Sequence, residues 1–481
     1  MTFLGDEGRD AIIVYDILHG DFTLLGPRSS AADFYYGPIY FYFIAPFLWL
    51  FNFNPVGPSV MVAMLGIATV FLVYKIGKEF FGTGAALVAA SLYTISPLVV
   101  AYARSSWNPN PLPFFSLLII YLVYKAVVHS SWQLFLAVGF FLGIAFQLQY
   151  ISMFLAIIVC VYIALGIYVK EKNISLLKIS RWYLTVLTGF LIGFSPFLGF
   201  EVLHGFPNTQ TIINFLLGRI PDNRVIVNFS PINQVTDAAF RLFARLVWYF
   251  PPLEQLERVN GLVLKLWQIG VVGIMVISTY TLIKIKNKLQ LFLLALWLFL
   301  GIGLFGFYRK VIYDYYFGFM FPLPFLLVGN ALSSLWRYHR ILRFFVAGLF
   351  FFLIIINLQG IPFRSSPNRQ LEQVKRISEF VLKKTENKQY NFALITNGNS
   401  DHAYRYFFKL DGKDPITIET KEKDPQRKTV TNQLLIICEY PSCEPLGHPI
   451  WEIAGFGRAE IAAQWDVSVV KVYKLIHYSD D

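Results

Sequence analysis

Pro38-Ile39-Tyr40-Phe41-Tyr42-Phe43-Ile44-Ala45-Pro46-Phe47-Leu48-Trp49-Leu50-Phe51 is the stretch on which the topology of this chain turns. It is apolar throughout, yet its 14 residues fall short of the roughly 20 that a helix needs to cross a bilayer. Downstream, ten longer apolar runs read as spans, at about 57–76, 84–102, 111–128, 132–148, 150–169, 182–201, 262–283, 289–307, 314–331 and 341–359. Charge decides whether 38–51 crosses. If it does not, and the side of residue 6 is called outer, the inner loops carry Lys75 and Lys78, then Lys125, then Lys170, Lys172, Lys178 and Arg181. Further on they carry Lys284, Lys286 and Lys288, then Arg337, Arg340 and Arg343. Every strongly basic short loop then lies on one face, as the positive-inside rule requires. If 38–51 did cross, all of them would lie outside. The non-crossing reading follows, and it puts five segments on the outer face: the acidic start, the turn at Trp107-Asn108, the long loop 202–261, the Tyr308–Asp314 loop and everything after about 361.

Composition agrees. The 481 residues are 56% hydrophobic, 17% aromatic and 15% charged, against roughly 25% charged in a soluble domain. The expected class is a polytopic α-helical membrane protein with about ten visible spans, surface helices and a small C-terminal α/β domain. The net charge of +11 is concentrated in membrane-flanking loops, so the expected partner is the lipid bilayer and not nucleic acid. Three cysteines are too few for a disulfide framework. Cys160, in an apolar run, is expected to be inert packing; Cys438 and Cys443 share a polar region and could pair if it faces an oxidising compartment, although pairing is not the expected outcome.

Three divisions are expected: a first outer loop with juxtamembrane helices (1–56), a helical membrane domain (57–360) with the outer loop 202–261, and an outer-face α/β domain (361–481). In the first, residues 9–19 read as a short amphipathic surface helix with Ala11, Val14 or Tyr15, and Leu18 on its apolar face. Because no hydrophobic segment precedes Asp6, Met1 reads as a late start or as a chain missing a first helix. In the third, 371–384 has helical periodicity, and Phe392–Ile395, Leu434–Ile437 and Val467–Leu475 read as strands. It shows no nucleotide-binding loop, no His/Cys metal spacing and no nucleophile elbow.

The spans hold almost no ionisable residue near mid-depth, which argues against ion-coupled transport and moves the chemistry to the outer surface. There Asp6 and Glu7 supply carboxylates, and Arg9, Arg104, Arg219, Arg224, Arg309 and Lys310 supply cations. A carboxylate can take a proton from a hydroxyl. Arginine forks suit phosphate, and cations stabilise a departing anion. Each group also has a structural reading. A loop acidic pair is commonly just solvated, Arg9 can simply pair with Asp6, Arg309 and Lys310 can anchor lipid headgroups, and Trp107-Asn108-Pro109-Asn110 can be a turn with an interfacial Trp.

The sequence Gly-Asp-Glu-Gly-Arg-Asp-Ala (5–11), a helix ending His-Gly-Asp and a Tyr-Gly-Pro-led aromatic run resemble the first outer loop of GT-C glycosyltransferases. The likeness is to glycosyltransferase family 39, the protein O-mannosyltransferases, and its aminoarabinose-transferring relatives, where the loop reads Asp-Glu-x-x-Tyr-Ala or Asp-Glu-x-Arg-Tyr-Ala. Lys-x-Gly-Lys-Glu-Phe-Phe-Gly before Gly-Ala-Ala-Leu-Val-Ala-Ala (75–90), Ser-Pro-x-x-x-x-Tyr-Ala-Arg (96–104) and Asp-Tyr-Tyr-Phe-Gly-Phe-Met-Phe-Pro (314–322) extend it over about residues 3–331. The resemblance implies an inverting transferase that moves a sugar from a polyprenyl-phosphate donor to a hydroxyl acceptor on the outer face of the cytoplasmic membrane. Asp6 matches the catalytic base and Glu7 its acidic neighbour. Arg9 matches an arginine of the aminoarabinose branch, and Arg104 one kept by the oligosaccharyltransferases, where Asn108 stands near a metal-binding Asp. The family lysine before proline is replaced by Tyr36-Gly37-Pro38, so phosphate binding falls to Arg9, Arg104, Arg309 and Lys310. Tyr35, Tyr36, Asn108, Tyr315 and Tyr316 are expected to wall the site. No metal ligand is assigned and no cofactor is required, although a divalent metal is compatible with the family. The rival readings are a lipid-linked glycan flippase or transporter and an inactive binding homologue.

Overall fold

The ten apolar runs resolve into three kinds of helix in the computed structural model, which describes residues 1–29, 33–172, 176–217, 219, 229–250, 258–364, 366–440 and 442–478. Six stretches are long and apolar enough to cross a membrane: Val56–Phe81, Leu112–His129, Tyr150–Glu171, Gly261–Leu282, Lys288–Phe307 and Arg340–Gly360. Two runs are bent pairs, Leu176–Gly193 with Ser195–His204 at 75° and Asp314–Met320 with Pro322–Tyr338 at 59°. The other two form the shorter helices Thr83–Ile95 and Trp132–Leu148. The expected ten spans are therefore six, or eight counting each bent pair as one, among the described residues. The difference has a local cause. Breaks fall beside Pro97, Pro196 and Pro322, where the ring removes an amide donor, and Ser96 before Pro97 is extended at ψ 121°; apolarity alone does not register them. The run 38–51 forms Ile39–Leu50, a helix of 12 residues, too short to span. With Ile67, Phe71, Ile269 and Phe344 all more than 60% exposed on these helices, the chain is an integral multi-pass membrane protein.

The chain divides into two compact units: Met1–Phe22 with Ile44–Pro58 and Pro367–Asp481, and Thr23–Phe43 with Ser59–Ser366. In the second unit, backbone contact binds helices together. A Cβ on Gly139 would lie 1.9 Å from the carbonyl oxygen of Val186, and one on Gly189 would lie 2.1 Å from that of Leu136. Trp132–Leu148 and Leu176–Gly193 thus touch along their glycines, the way helices gain dispersion energy where no hydrophobic drive separates protein from lipid. Much of the expected outer loop 202–261 is helical, with Pro207–Leu216 and Pro231–Ala244. Cys160 is exposed on its helix and not packed inside; its apolar surroundings in sequence reflect a lipid-facing side.

The first unit contains a four-stranded sheet of order β1-β2-β4-β3: β1 Asn391–Ile395, β2 Gln433–Cys438, β3 Ala459–Val467 and β4 Val470–His477. β1 and β2 are parallel, and the other pairings are antiparallel. Ala393, Ile395, Leu434, Ile436, Tyr473 and Leu475 build the core on one face with Ile418 and Phe456. The first two expected strands match β1 and β2. The third, Val467–Leu475, straddles a hairpin turn in which Ser468 has φ +56°, and β3, an edge strand with mostly exposed side chains, carried too little apolar signal to be read. Cys438 and Cys443 form a disulfide. The helices Gln370–Lys384 and His402–Leu410 complete the layer, with Phe392 meeting Phe408 edge-on at 5.0 Å.

Candidate active site

In the first unit the acidic start is a helix, Gly5–Leu18, longer at its beginning than the expected 9–19. It buries Gly5, Gly8, Asp10, Ala11, Val14 and Ile17, so Ile17 takes the place expected of Leu18. The glycines have a steric role. A Cβ on Gly8 would sit 2.4 Å from the amide nitrogen of Ala403, and one on Gly5 would sit 2.0 Å from Ser400 Oγ. The helix therefore lies directly against the start of His402–Leu410. Gly5 N donates to Asn399 Oδ1 at 3.0 Å, Phe3 N donates to Gln370 Oε1 at 3.2 Å, and Lys409 pairs with Asp16 at 2.8 Å.

Three carboxyl groups occupy the first turns of this helix, and each has a different environment. Glu7 Oε2 accepts from the Leu4 amide at 3.0 Å, capping a donor that the helix start would leave unpaired. Burial pushes the Glu7 carboxyl up, against the opposing bond from Leu4. Asp10 is 1% exposed, and burial raises it to about 7 despite Arg9. The Asp6 side chain is 54% exposed and accepts from Arg9 Nη1 at 2.8 Å. Arg9 also reaches Asp10 Oδ1 through Nε at 2.9 Å and Nη2 at 2.7 Å, so its guanidinium is strung between the two aspartates. His402 stands nearby with Nδ1 2.8 Å from Ser400 Oγ, and burial lowers its pKa. Asn399, Ser400 and His402 were not read as site residues. They lie almost 400 positions downstream, and nothing local in sequence links them to residue 6.

In the second unit two of the five expected wall residues, Tyr36 and Tyr316, line a cavity of about 130 Å³ together with Phe34, Phe146, Gln149, Tyr150, Phe154 and Tyr308 among others, whereas Tyr35, Asn108 and Tyr315 do not line it. Tyr36 stacks on Tyr150 at 4.9 Å and donates its hydroxyl to Gln149 Oε1 at 2.7 Å. Tyr308 donates to the Tyr316 hydroxyl at 3.3 Å. Burial raises the phenol pKa of Tyr36 and of Tyr308, so both stay protonated and keep these two bonds. Tyr315 stands behind, edge-on to Tyr316 at 4.5 Å and to Trp107 at 4.6 Å. Tyr35 is held from behind as well. Its amide donates to Asn208 Oδ1 at 2.8 Å, its carbonyl accepts from the Tyr150 hydroxyl, and Asn208 is itself fixed by fully buried Glu201. Asn108, 4% exposed, donates to the Leu148 carbonyl at 2.7 Å, the residue before Gln149. Such a chamber, nearly apolar with a few hydroxyls and an amide, suits an apolar chain or the flat face of a ring.

The expected cations of this unit take different places. Arg104 is exposed, 4.9 Å over the Phe363 ring, and Arg309 is exposed, 5.7 Å from the Phe229 ring centre; Lys310 is half-buried. Arg219 is exposed, and Arg224 lies outside the described residues. Two further arginines had gone unread: Arg241 and Arg245 both bind Asp314, Arg245 Nε at 2.9 Å. Their spacing with Asp237, at steps of four along one helix, is the signal that could have drawn notice. Among the described residues no group of three His, Cys, Asp or Glu side chains is arranged as a metal site.

Residues 36–200 match the family model described as dolichyl-phosphate-mannose-protein mannosyltransferase. Two proteins of Bacillus subtilis (strain 168) are similar over shorter stretches. "Putative mannosyltransferase YkcB" is 30% identical over 119 residues, 24% of this chain, and "Putative mannosyltransferase YycA" is 28% identical over 155 residues, 32% of this chain. The matched stretches span only 17% and 22% of those relatives' own lengths. Among solved structures, ArnT from Cupriavidus metallidurans bound to undecaprenyl phosphate superposes with TM-score 0.61 at 14% identity, covering 98% of this chain and 94% of ArnT. The archaeal oligosaccharyltransferase AglB from Archaeoglobus fulgidus, in complex with an inhibitory peptide and a dolichol-phosphate, gives TM-score 0.50 at 12% identity over 90% of this chain and 65% of AglB. At such identities the likeness is one of fold.

Proposed function

We propose that this chain, which resembles the GT-C glycosyltransferases of the family-39 kind, moves a sugar from a polyprenyl-phosphate donor to a hydroxyl acceptor, with Asp6 as general base. One observation carries the choice of Asp6. Of the three carboxyls in the first turns, Glu7 caps its own helix and Asp10 is buried, while Asp6 is presented to the outside and oriented by Arg9. The acceptor hydroxyl gives its proton to Asp6 as its oxygen attacks the anomeric carbon. The bond from that carbon to the phosphate oxygen breaks on the opposite side, and its electron pair leaves with the lipid phosphate. A single displacement of this kind inverts the anomeric centre. Arg9 meets the charge gathering on the phosphate. In the second unit, Arg104, Arg309 and Lys310 are assigned to the lipid phosphate, and the chamber of Tyr36 and Tyr316, backed by Tyr35, Tyr315 and Asn108, to the donor. The lipid phosphates bound in ArnT and AglB support a donor of this class.

The outer face is supported by two independent features. On the ten-span reading of the sequence the basic short loops fall on the side opposite residue 6, and the Cys438–Cys443 disulfide suits an oxidising compartment. The test is direct: purified full-length protein is incubated with labelled polyprenyl-phosphate sugars and a hydroxyl acceptor. Transfer is expected from the wild type, and Asp6→Asn is expected to reduce it by roughly 10²- to 10⁴-fold, the usual effect of losing a general base. Turnover by Asp6→Asn equal to wild type would overturn the assignment.

A further inference from the structure

We infer that Asp10 is a positioning residue of this reaction: it anchors the buried end of Arg9, and the proton it holds or releases sets how much of Arg9's positive charge remains for Asp6 and the donor phosphate. The inference rests on the functional reading above. Its basis is an asymmetry in how the carboxyl is bonded. An arginine and a carboxylate normally pair fork to fork, each oxygen taking one N–H. Here both Arg9 Nε and Nη2 bind the same oxygen, Asp10 Oδ1, at 2.9 and 2.7 Å. The other oxygen, Oδ2, is enclosed and has no hydrogen-bond partner among the described residues. Leaving an ionised carboxylate oxygen buried and unpaired is costly. A proton on Oδ2 removes that cost and leaves both bonds from Arg9 to Oδ1 intact.

The remaining end of Arg9, Nη1, binds Asp6 at 2.8 Å. With Asp10 ionised, one guanidinium serves two carboxylates and the trio carries a net negative charge. With Asp10 protonated the trio is neutral, and Arg9's charge is available to Asp6 and to an arriving anion. The other groups facing this point do not take over that function. On the same helix Glu7 is engaged with the Leu4 amide. From the packed His402–Leu410 helix and its lead-in, Arg405 is bound to Asp401, Lys409 to Asp16, and His402 to Ser400 with its charged form disfavoured by burial. Burial, opposed by Arg9 and reinforced by Asp6 and Glu7, brings the Asp10 carboxyl up to about 7, so the two charge states exchange near neutral pH. Below about 7 the neutral trio receives the phosphate; above it, the added negative charge repels it.

The experiment follows donor KM and kcat of the full-length protein against pH for wild type and Asp10→Asn, which keeps an oxygen for Arg9 and cannot ionise. In the wild type, donor KM is expected to rise roughly fivefold from about pH 6 to about pH 8.5, the scale of one unit charge at a partly solvated site. The kcat is expected to change little over that range, and Asp10→Asn is expected to lose the rise in KM. Difference infrared spectra over the same range supply a readout that needs no turnover: a protonated-carboxyl band should disappear from the wild type as pH rises and be absent from Asp10→Asn. Transfer by the wild type with the same KM rise in Asp10→Asn, or a band that persists in that variant, overturns the role of Asp10 alone. A wild type that shows the band but transfers no sugar at any pH overturns the functional reading, and Asp10's part in transfer with it.

Discussion

Replacing Gly8 by alanine should loosen the first unit where the helix Gly5–Leu18 meets the helix His402–Leu410. The added methyl would lie 2.4 Å from Ala403 N and 2.5 Å from both Ala403 Cα and His402 C. All three are backbone atoms, so no side chain can swing aside. Ordinary carbon contacts need about 3.5–4 Å, so the helices must part by about 1 Å. Overpacking of this kind costs about 1–3 kcal/mol. Parting also stretches the Gly5–Asn399 and Phe3–Gln370 hydrogen bonds, at 3.0 and 3.2 Å, worth about 0.5–1.5 kcal/mol each. Alanine's better helix propensity returns at most about 1 kcal/mol. The net loss is about 2–4 kcal/mol, and it should appear as local opening. Hydrogen exchange on the full-length protein in detergent should show protection falling roughly 30- to 1,000-fold within Gly5–Leu18 and His402–Leu410, with the spans unchanged. Protection in Gly8→Ala equal to or above wild type would refute the close-approach argument.

Glu201→Ala should destabilise the second unit by about 2–4 kcal/mol, because Asn208 N, Asn208 Nδ2 and Thr209 N would lose their shared acceptor inside the protein. Thermal melts should show the loss, Glu201→Gln should recover part of it, and a melt of Glu201→Ala unchanged from wild type would contradict the network. In a cysteine-free background, single cysteines placed by Asp6→Cys and Arg309→Cys should both react with an impermeant maleimide added from outside whole cells, whereas Lys286→Cys should react only after permeabilisation. Labelling of residues 6 and 309 from opposite sides would remove the proposed outer-face site.

The membrane class, the non-crossing run at 38–51 and the acidic start were all legible in the sequence, because each is written in local composition. Apolar length against bilayer thickness separates Ile39–Leu50 from Val56–Phe81 without reference to any contact. β1 and β2 were legible for the same reason, as buried β-branched and leucine-rich runs. The helix breaks beside Pro97, Pro196 and Pro322 were written there too, but hydropathy averages over a single proline. What sequence spacing could not separate was Asp6 from Glu7 and Asp10. All three are carboxylates within one helical turn and a half, and they differ only in what packs against them. The approach of His402–Leu410 over Gly5 and Gly8 buries one, helix capping engages another and leaves the third outward. Likewise the tyrosines of residues 36, 150, 308 and 316 become one chamber only when distant turns meet. Burial and partnership arise from contacts between residues far apart in the chain, and those exist only once the backbone has folded.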